Sequence, residues 1–132
     1  MNQSNDMLAL AQQAQDRAHA PYSGFRVGAV LRGGSGRLYA GCNVENAAYP
    51  QSQCAEASAL GALVLGGDSR VTEVLVLGPG ERPLTPCGGC RQRLLEFAEA
   101  DTPVHLCSVS GENQTLTLGA LMPHAFGPDS LT

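Results

Sequence analysis

Residues 54–77 read CAEASALGALVLGGDSRVTEVLVL, a helix, its stop and a buried strand in one run. From Cys54 to about Leu65, the residues Leu60, Leu63 and Val64 gather on one helical face. Gly66–Gly67 then offers the backbone freedom with which helices end. Val71 to Leu77 is short and mostly apolar, the pattern of a strand covered on both sides. A helix delivered straight into such a strand is the repeating unit of α/β proteins.

The same unit recurs downstream. Gly78 to Pro86 is a loop. Gly88 to Ala100 reads as a second amphipathic helix, with Leu94, Leu95, Phe97 and Ala98 facing inward, and Val104 to Val109 as its strand. Thr115 to Leu118 is a candidate for one more strand, and the tail from Met122, with Pro123, Gly127 and Pro128, reads as irregular. Upstream, Asn2 to Ala18 repeats Met7, Leu10, Ala11 and Ala14 at helical spacing before Pro21. Val27 to Leu31 and Leu38 to Val44 flank Gly33-Gly34-Ser35-Gly36, a hairpin signal. Asn43 to Pro50 is polar and irregular. The predicted fold class is α/β, a three-layer α/β/α sandwich with a mixed, roughly five-stranded sheet. Residues 1–132 are expected to form a single catalytic domain.

Of the 132 residues, 43% are hydrophobic, enough for a core without disulfides. The net charge is −4, and all eight basic residues are arginines, scattered from Arg17 to Arg93. A nucleic-acid partner is therefore not expected, since polyanion binding shows a basic patch. No apolar stretch approaches the roughly 20 residues of a membrane span, and no leader is visible, so the expected location is cytoplasmic, with no membrane partner. The five cysteines are an odd number, which argues for ligands or core thiols over a disulfide framework.

Chemistry concentrates in Cys54-Ala55-Glu56 and Pro86-Cys87-Gly88-Gly89-Cys90. Both stand where a helix is predicted to begin, and helix N-termini favour thiolate over thiol. Two such starts aimed at one spot would hold three thiolates around one Zn²⁺. Three protein ligands leave a tetrahedral zinc one position short, the mark of a catalytic site, and zinc lowers the pKa of water there to roughly 7. Glu56 reaches that spot only if Cys54 is at the very first turn, because two residues along a helix turn about 200°. Other readings remain open at this stage. A lone Cys-x-x-Cys serves redox chemistry too, and a closed structural zinc would need a fourth ligand from Cys42, Cys107, His105 or His124. The cysteines read as buried strand thiols, and His19, His105 and His124 read as surface or core histidines.

The pattern is the three-cysteine form of the zinc-deaminase signature. The chain resembles the small cytidine deaminases, the homotetrameric three-cysteine zinc type. The likeness runs through residues 22–29 (YSGFRVGA), 41–49 (GCNVENAAY), 54–56 (CAE), 85–92 (TPCGGCRQ), Leu121-Met122-Pro123 and Phe126-Gly127-Pro128. It implies a cytidine deaminase-like fold, one Zn²⁺ per subunit on Cys54, Cys87 and Cys90, and Glu56 as the catalytic acid and base. Glu56 would take a proton from water, protonate N3 as C4 is attacked, and return a proton to the leaving amino group. Asn43 and Glu45 match positions that bond the ribose. Phe25 matches an aromatic wall, and the Ala55 backbone a reader of the pyrimidine edge. Tyr49 and Phe126 match positions that complete a neighbour's pocket in a homotetramer. The implied partner is a small pyrimidine nucleoside, cytidine or deoxycytidine, in pyrimidine salvage. The zinc signature alone fits another aminopyrimidine nucleoside, such as an antibiotic or a modified cytidine. One departure stands out: many members carry an arginine after the glutamate, and this chain has Ala57. Arg91, adjacent to Cys90, is the nearest cation in sequence and the expected moderator of the thiolate charge.

Overall fold

The structure, a computed structural model, describes residues 3–132. Helix α1 (Gln3–Asp16) precedes a hairpin of β1 (Gly28–Gly33) and β2 (Leu38–Cys42). Then come α2 (Ala55–Leu65), β3 (Val71–Gly78), α3 (Gly88–Leu95), β4 (Pro103–Ser108), β5 (Asn113–Thr117) and the single turn α4 (Leu118–Leu121). Short 3-10 turns occupy Tyr49–Gln51 and Pro128–Leu131. The strands form one mixed sheet in the order β2-β1-β3-β4-β5.

Strand direction positions the site. Both β2 and β3 pair antiparallel with β1, so they run the same way, and β4 runs parallel to β3. Helix α2 therefore returns the chain from the end of β2 to the start of β3, and α3 does the same between β3 and β4. Crossovers of one hand that advance along a sheet lay their helices on one face. Here that face is the larger core, where Ala59 and Leu63 of α2 and Leu94 of α3 pack on Ala29, Leu31, Val74, Val76, Val104 and Leu106. The opposite face is covered by α1, whose Met7 and Ala11, one turn apart, close over Val30, Leu75, Leu77 and Cys107. The three-layer α/β sandwich predicted from the sequence is the observed fold.

Element ends depart from expectation for identifiable reasons. Asn2 lies outside the described residues. At the other end of α1, the Arg17 and Ala18 amides bond three residues back, to Ala14 and Gln15, so the regular helix ends at Asp16. The third helix stops at Leu95, not Ala100, because the Phe97 carbonyl accepts the Val71 amide of β3 at 2.8 Å. Phe97 and Ala98 still pack against the core. β2 ends at Cys42 because Val44 bridges instead to His19 and Gln53. The single turn α4 is capped by Thr117, whose hydroxyl accepts the Ala120 amide at 3.2 Å. No helix among the described residues is long and apolar enough to cross a membrane.

One glycine sets how closely α2 approaches the sheet. A Cβ on Gly41 of β2 would stand 2.4 Å from the Ala59 nitrogen and 2.5 Å from the Ala55 oxygen. These are backbone atoms of the helix that carries Glu56, so they cannot yield without moving the helix. Gly41→Ala should destabilise by about 1–3 kcal/mol, the usual range for overpacking. Gly61, inside α2, has nothing within 4 Å of its would-be Cβ. Gly61→Ala should therefore stabilise by up to about 1 kcal/mol. Denaturant unfolding checks the pair; equal effects of the two substitutions would contradict the close approach.

Candidate active site

Cys54 and Cys87 occupy equivalent places, the N-caps of α2 and α3. Both have extended backbone, with ψ of 156° and 166°, and their carbonyls accept the first helical bonds, from Ser58 and Arg91. The two helices begin at the same end of the sheet, so the Sγ atoms of Cys54 and Cys87 lie 3.8 Å apart. Cys90, buried in the first turn of α3, completes a cluster whose three sulfurs all lie within 4.8 Å of one another. Tetrahedral zinc with bonds of about 2.3 Å sets its sulfurs roughly 3.8 Å apart, so the three fit one zinc.

Glu56 follows in the first turn of α2 and is only 5% exposed. The reason is periodic: residues four apart share a helix face, and Glu56 stands one turn before the buried Leu60. Burial raises its pKa above the usual carboxylate value, while its own amide, the Cys90 thiol and the Arg93 charge pull the other way. Burial also pushes up the Cys54 thiol, and it pushes Cys90 far up, reinforced by the charges of Glu56 and Cys54. For Cys87, burial is outweighed by the Cys90 amide and thiol and by Cys54, and the net shift is downward. A divalent cation among the sulfurs is the group that would reverse these penalties.

Two cavities meet at this cluster. One, of about 220 Å³, is lined by Phe25, Val27, Ala55, Glu56, Leu84 and Thr85, with Asn43, Cys54 and Cys87 at its edge. The other, of about 390 Å³, shares Asn43 and Cys54 and continues past Tyr22, Ser23, Glu45 and Tyr49. The rim is tied down by side chains. Asn43 Oδ1 accepts the Val27 amide at 2.9 Å, and its Nδ2 donates to the Phe25 carbonyl at 2.8 Å. Glu45 Oε1 accepts the Tyr22 and Ser23 amides at 3.0 and 3.1 Å, and the Ser23 hydroxyl donates to Oε2. Asn43 retains a second amide hydrogen, and Glu45 a second lone pair on Oε2, for a ligand.

The structure thus gathers Phe25, Asn43, Glu45, Tyr49, Cys54, Ala55, Glu56 and Cys87 around two joined cavities, with Cys90 in the sulfur cluster. Two expected residues stand apart. Phe126 is 58% exposed on the tail, where its carbonyl accepts Gln92 Nε2 at 2.9 Å. Arg91 turns away from the sulfurs: its Nε donates to the Pro86 carbonyl at 2.8 Å and its Nη1 to the Leu121 carbonyl at 2.9 Å. The guanidinium that faces the cluster belongs to Arg93, with Nη1 4.0 Å from Cys90 Sγ. Its spacing of three from Cys90 was the available signal, because such residues are neighbours on a helix. Ser23, Gln53 and Leu84 also line the cavities without having been singled out. Of the suggested fourth ligands, Cys107 lies in the α1 core and His105 between Glu73 and Thr115, and the cluster found among the described residues joins Cys54, Cys87 and Cys90 without Cys42 or His124.

An α/β sheet whose two helix starts carry three convergent thiols beside a buried carboxylate is the frame of a metal-dependent hydrolytic enzyme. Residues 1–106 match the family described as the cytidine and deoxycytidylate deaminase zinc-binding region. A cytidine deaminase of Sporosarcina psychrophila is 37% identical over 126 residues, covering 96% of this chain and 93% of the relative. One from Halalkalibacterium halodurans is 40% identical over 125 residues, 95% of each. The crystal structure of cytidine deaminase from Burkholderia pseudomallei superposes with a TM-score of 0.89 at 36% identity, over 96% of this chain and 100% of that one. The chain belongs to the cytidine and deoxycytidylate deaminase family, which carries a zinc-binding region.

The Glu45 contacts generate a pH-dependent expectation. The Ser23 hydroxyl, with the Ser23 and Tyr22 amides, holds its pKa below the usual value. A carboxylate so lowered supports the fold above its unfolded pKa, near about 4.3, and the support is lost as pH falls through the folded value. Glu45→Gln should reduce amide protection at pH 7 most at Tyr22 and Ser23, and at Val30 and Leu75 by no more than the loss of global stability. The difference should shrink below about pH 4. Equal protection in variant and wild type at pH 7 would show that Glu45 does not hold this turn.

Proposed function

We propose that this chain hydrolyses the amino group from cytidine and deoxycytidine, yielding uridine or deoxyuridine and ammonia, in pyrimidine salvage. The observation that carries the reading is the buried Glu56 carboxylate set against three convergent sulfurs at the floor of an open cavity. Cys54, Cys87 and Cys90 hold one Zn²⁺ per chain, which when bound supplies Lewis-acid activation of the attacking water. Glu56 takes one proton of that water and gives it to N3 as the water oxygen bonds to C4; it then takes the proton of the new C4 hydroxyl and passes it to the amino nitrogen, which leaves as ammonia when the C4–N bond breaks. The Ala55 backbone faces the pyrimidine edge and Phe25 covers the ring. Asn43 and Glu45, fixed by the turn they anchor, present their remaining donor and acceptor to the ribose.

The reading extends to assembly and location. Tyr49 is 72% exposed and Phe25 45% exposed, so two walls of the cavity lie open in a single chain. A homotetramer, in which Phe126 of one copy covers the cavity of another, would bury them. The five cysteines are free, which suits the reducing cytoplasm. Residues 1–132 serve as one catalytic domain. Sedimentation at assay concentration should find a tetramer, and a fully active monomer would refute the shared pocket.

Glu56→Gln should retain zinc and nucleoside binding while kcat falls by about 10²–10⁴-fold or more, the range of general acid–base catalysis. The absorbance change on mixing protein with cytidine, deoxycytidine and cytosine in parallel measures turnover. Retention of more than about a tenth of wild-type kcat would remove Glu56 from the proton path.

A further inference from the structure

Three thiolates and one carboxylate bring four negative charges to the cluster, and a divalent cation offsets two. The helix N-termini supply partial charges only, so the remainder calls for a nearby cation. Helix α2, AEASALGALVL, carries none. Helix α3, GGCRQRLL, carries two, Arg91 and Arg93. Arg91 is committed to the carbonyls of Pro86 and Leu121, a clamp between the start of α3 and the end of α4.

Arg93 remains. Its Nη1 stands 4.0 Å from Cys90 Sγ, at the long limit of an N–H···S hydrogen bond. Among the described residues, the ion pairs join Arg32 and His105 to Glu73, and neither uses Arg93. A Cβ on Gly89 would stand 3.1 Å from Arg93 Nη1, a tight contact with the guanidinium in the position it takes here. Gly89 shows none of the positive φ that would otherwise call for glycine. Its bare Cα therefore leaves room for the guanidinium to lie back over the first turn of α3 toward Cys90.

We propose that Arg93 is a positioning residue for the metal site, its guanidinium donating to the Cys90 thiolate and offsetting the excess charge of the three-sulfur cluster, in the space left open by Gly89. This rests on the reading that the cluster holds zinc. Arg93 acts on the metal through its ligand and touches no substrate.

The experiment uses the zinc-loaded enzyme and its cobalt(II)-substituted form, comparing wild type with Arg93→Gln, Arg93→Lys and Gly89→Ala. Outer contacts to metal ligands typically change affinity by about 10–100-fold, and an exposed, long contact belongs at the low end. Zinc transfer to a chelator should be about tenfold faster in Arg93→Gln. The sulfur-to-cobalt charge-transfer band should move to longer wavelength, because losing a hydrogen bond raises the sulfur lone pairs. Arg93→Lys, which keeps the charge, should recover a large part of both effects. Gly89→Ala, which crowds the guanidinium, should change both in the direction of Arg93→Gln. If wild type holds zinc and Arg93→Gln leaves release and band unchanged, the role of Arg93 is overturned alone. Release equally fast in Arg93→Gln and Arg93→Lys, with the band unmoved, overturns it as well. A wild-type chain that takes up no zinc overturns the metal reading and this inference with it.

Discussion

Holding three thiols and a buried carboxylate side by side is the constraint on which the rest of this structure turns. Left to themselves, Cys54, Cys90 and Glu56 would stay protonated, since burial raises the pKa of each, and neighbouring charge adds to the rise for the two thiols. The sheet holds them together. β2 and β3 run in one direction on either side of β1, so the helices that follow them start at one end of the sheet. Close packing then fixes the distance. Gly41 admits α2 to backbone contact with β2, and Leu94 anchors α3 on the same core. Apolar burial across the sheet is what holds the charged cluster in place.

The cavity walls follow a second constraint, the need to order a turn that belongs to no strand or helix. Residues 22–27 connect α1 to β1, and they carry Phe25 to the rim. Polar side chains from the next segment hold them: Asn43 spans Phe25 and Val27, and Glu45 gathers Tyr22 and Ser23. Gly24, at φ +69°, makes the turn possible, since other residues rarely take that conformation. Asn43 and Glu45, which line the cavity, thus also hold the segment that carries Phe25 to its rim, which couples the shape of the cavity to its polar lining.

Much of this was legible in the sequence. The helix-to-strand runs after Cys54 and Cys87 defined an α/β sandwich, and the cysteine spacing marked both helix starts. The sequence placed Glu56 in the first turn beside Cys54; its burial came with the structure, which sets it one turn before the buried Leu60. What escaped was set by tertiary contacts. Helix α3 ends early because Phe97 turns its carbonyl to Val71, and nothing local announces that bond. Arg91 looked like the nearest cation because it adjoins Cys90, but adjacent residues on a helix point about 100° apart. The neighbour on the same face is Arg93. Tyr49 and Phe126 are exposed in the single chain, on a 3-10 turn and on the tail, where sequence periodicity has no purchase.

Three thiolates that hold zinc would leave its fourth position open to water beside Glu56. X-ray absorption at the zinc edge of the protein, loaded with one equivalent of zinc and free of nucleoside, tests it most directly. The expected spectrum shows three sulfur neighbours at about 2.3 Å and one oxygen at about 2.0 Å. Four protein ligands, with a fourth sulfur or a histidine nitrogen closing the shell, would contradict it.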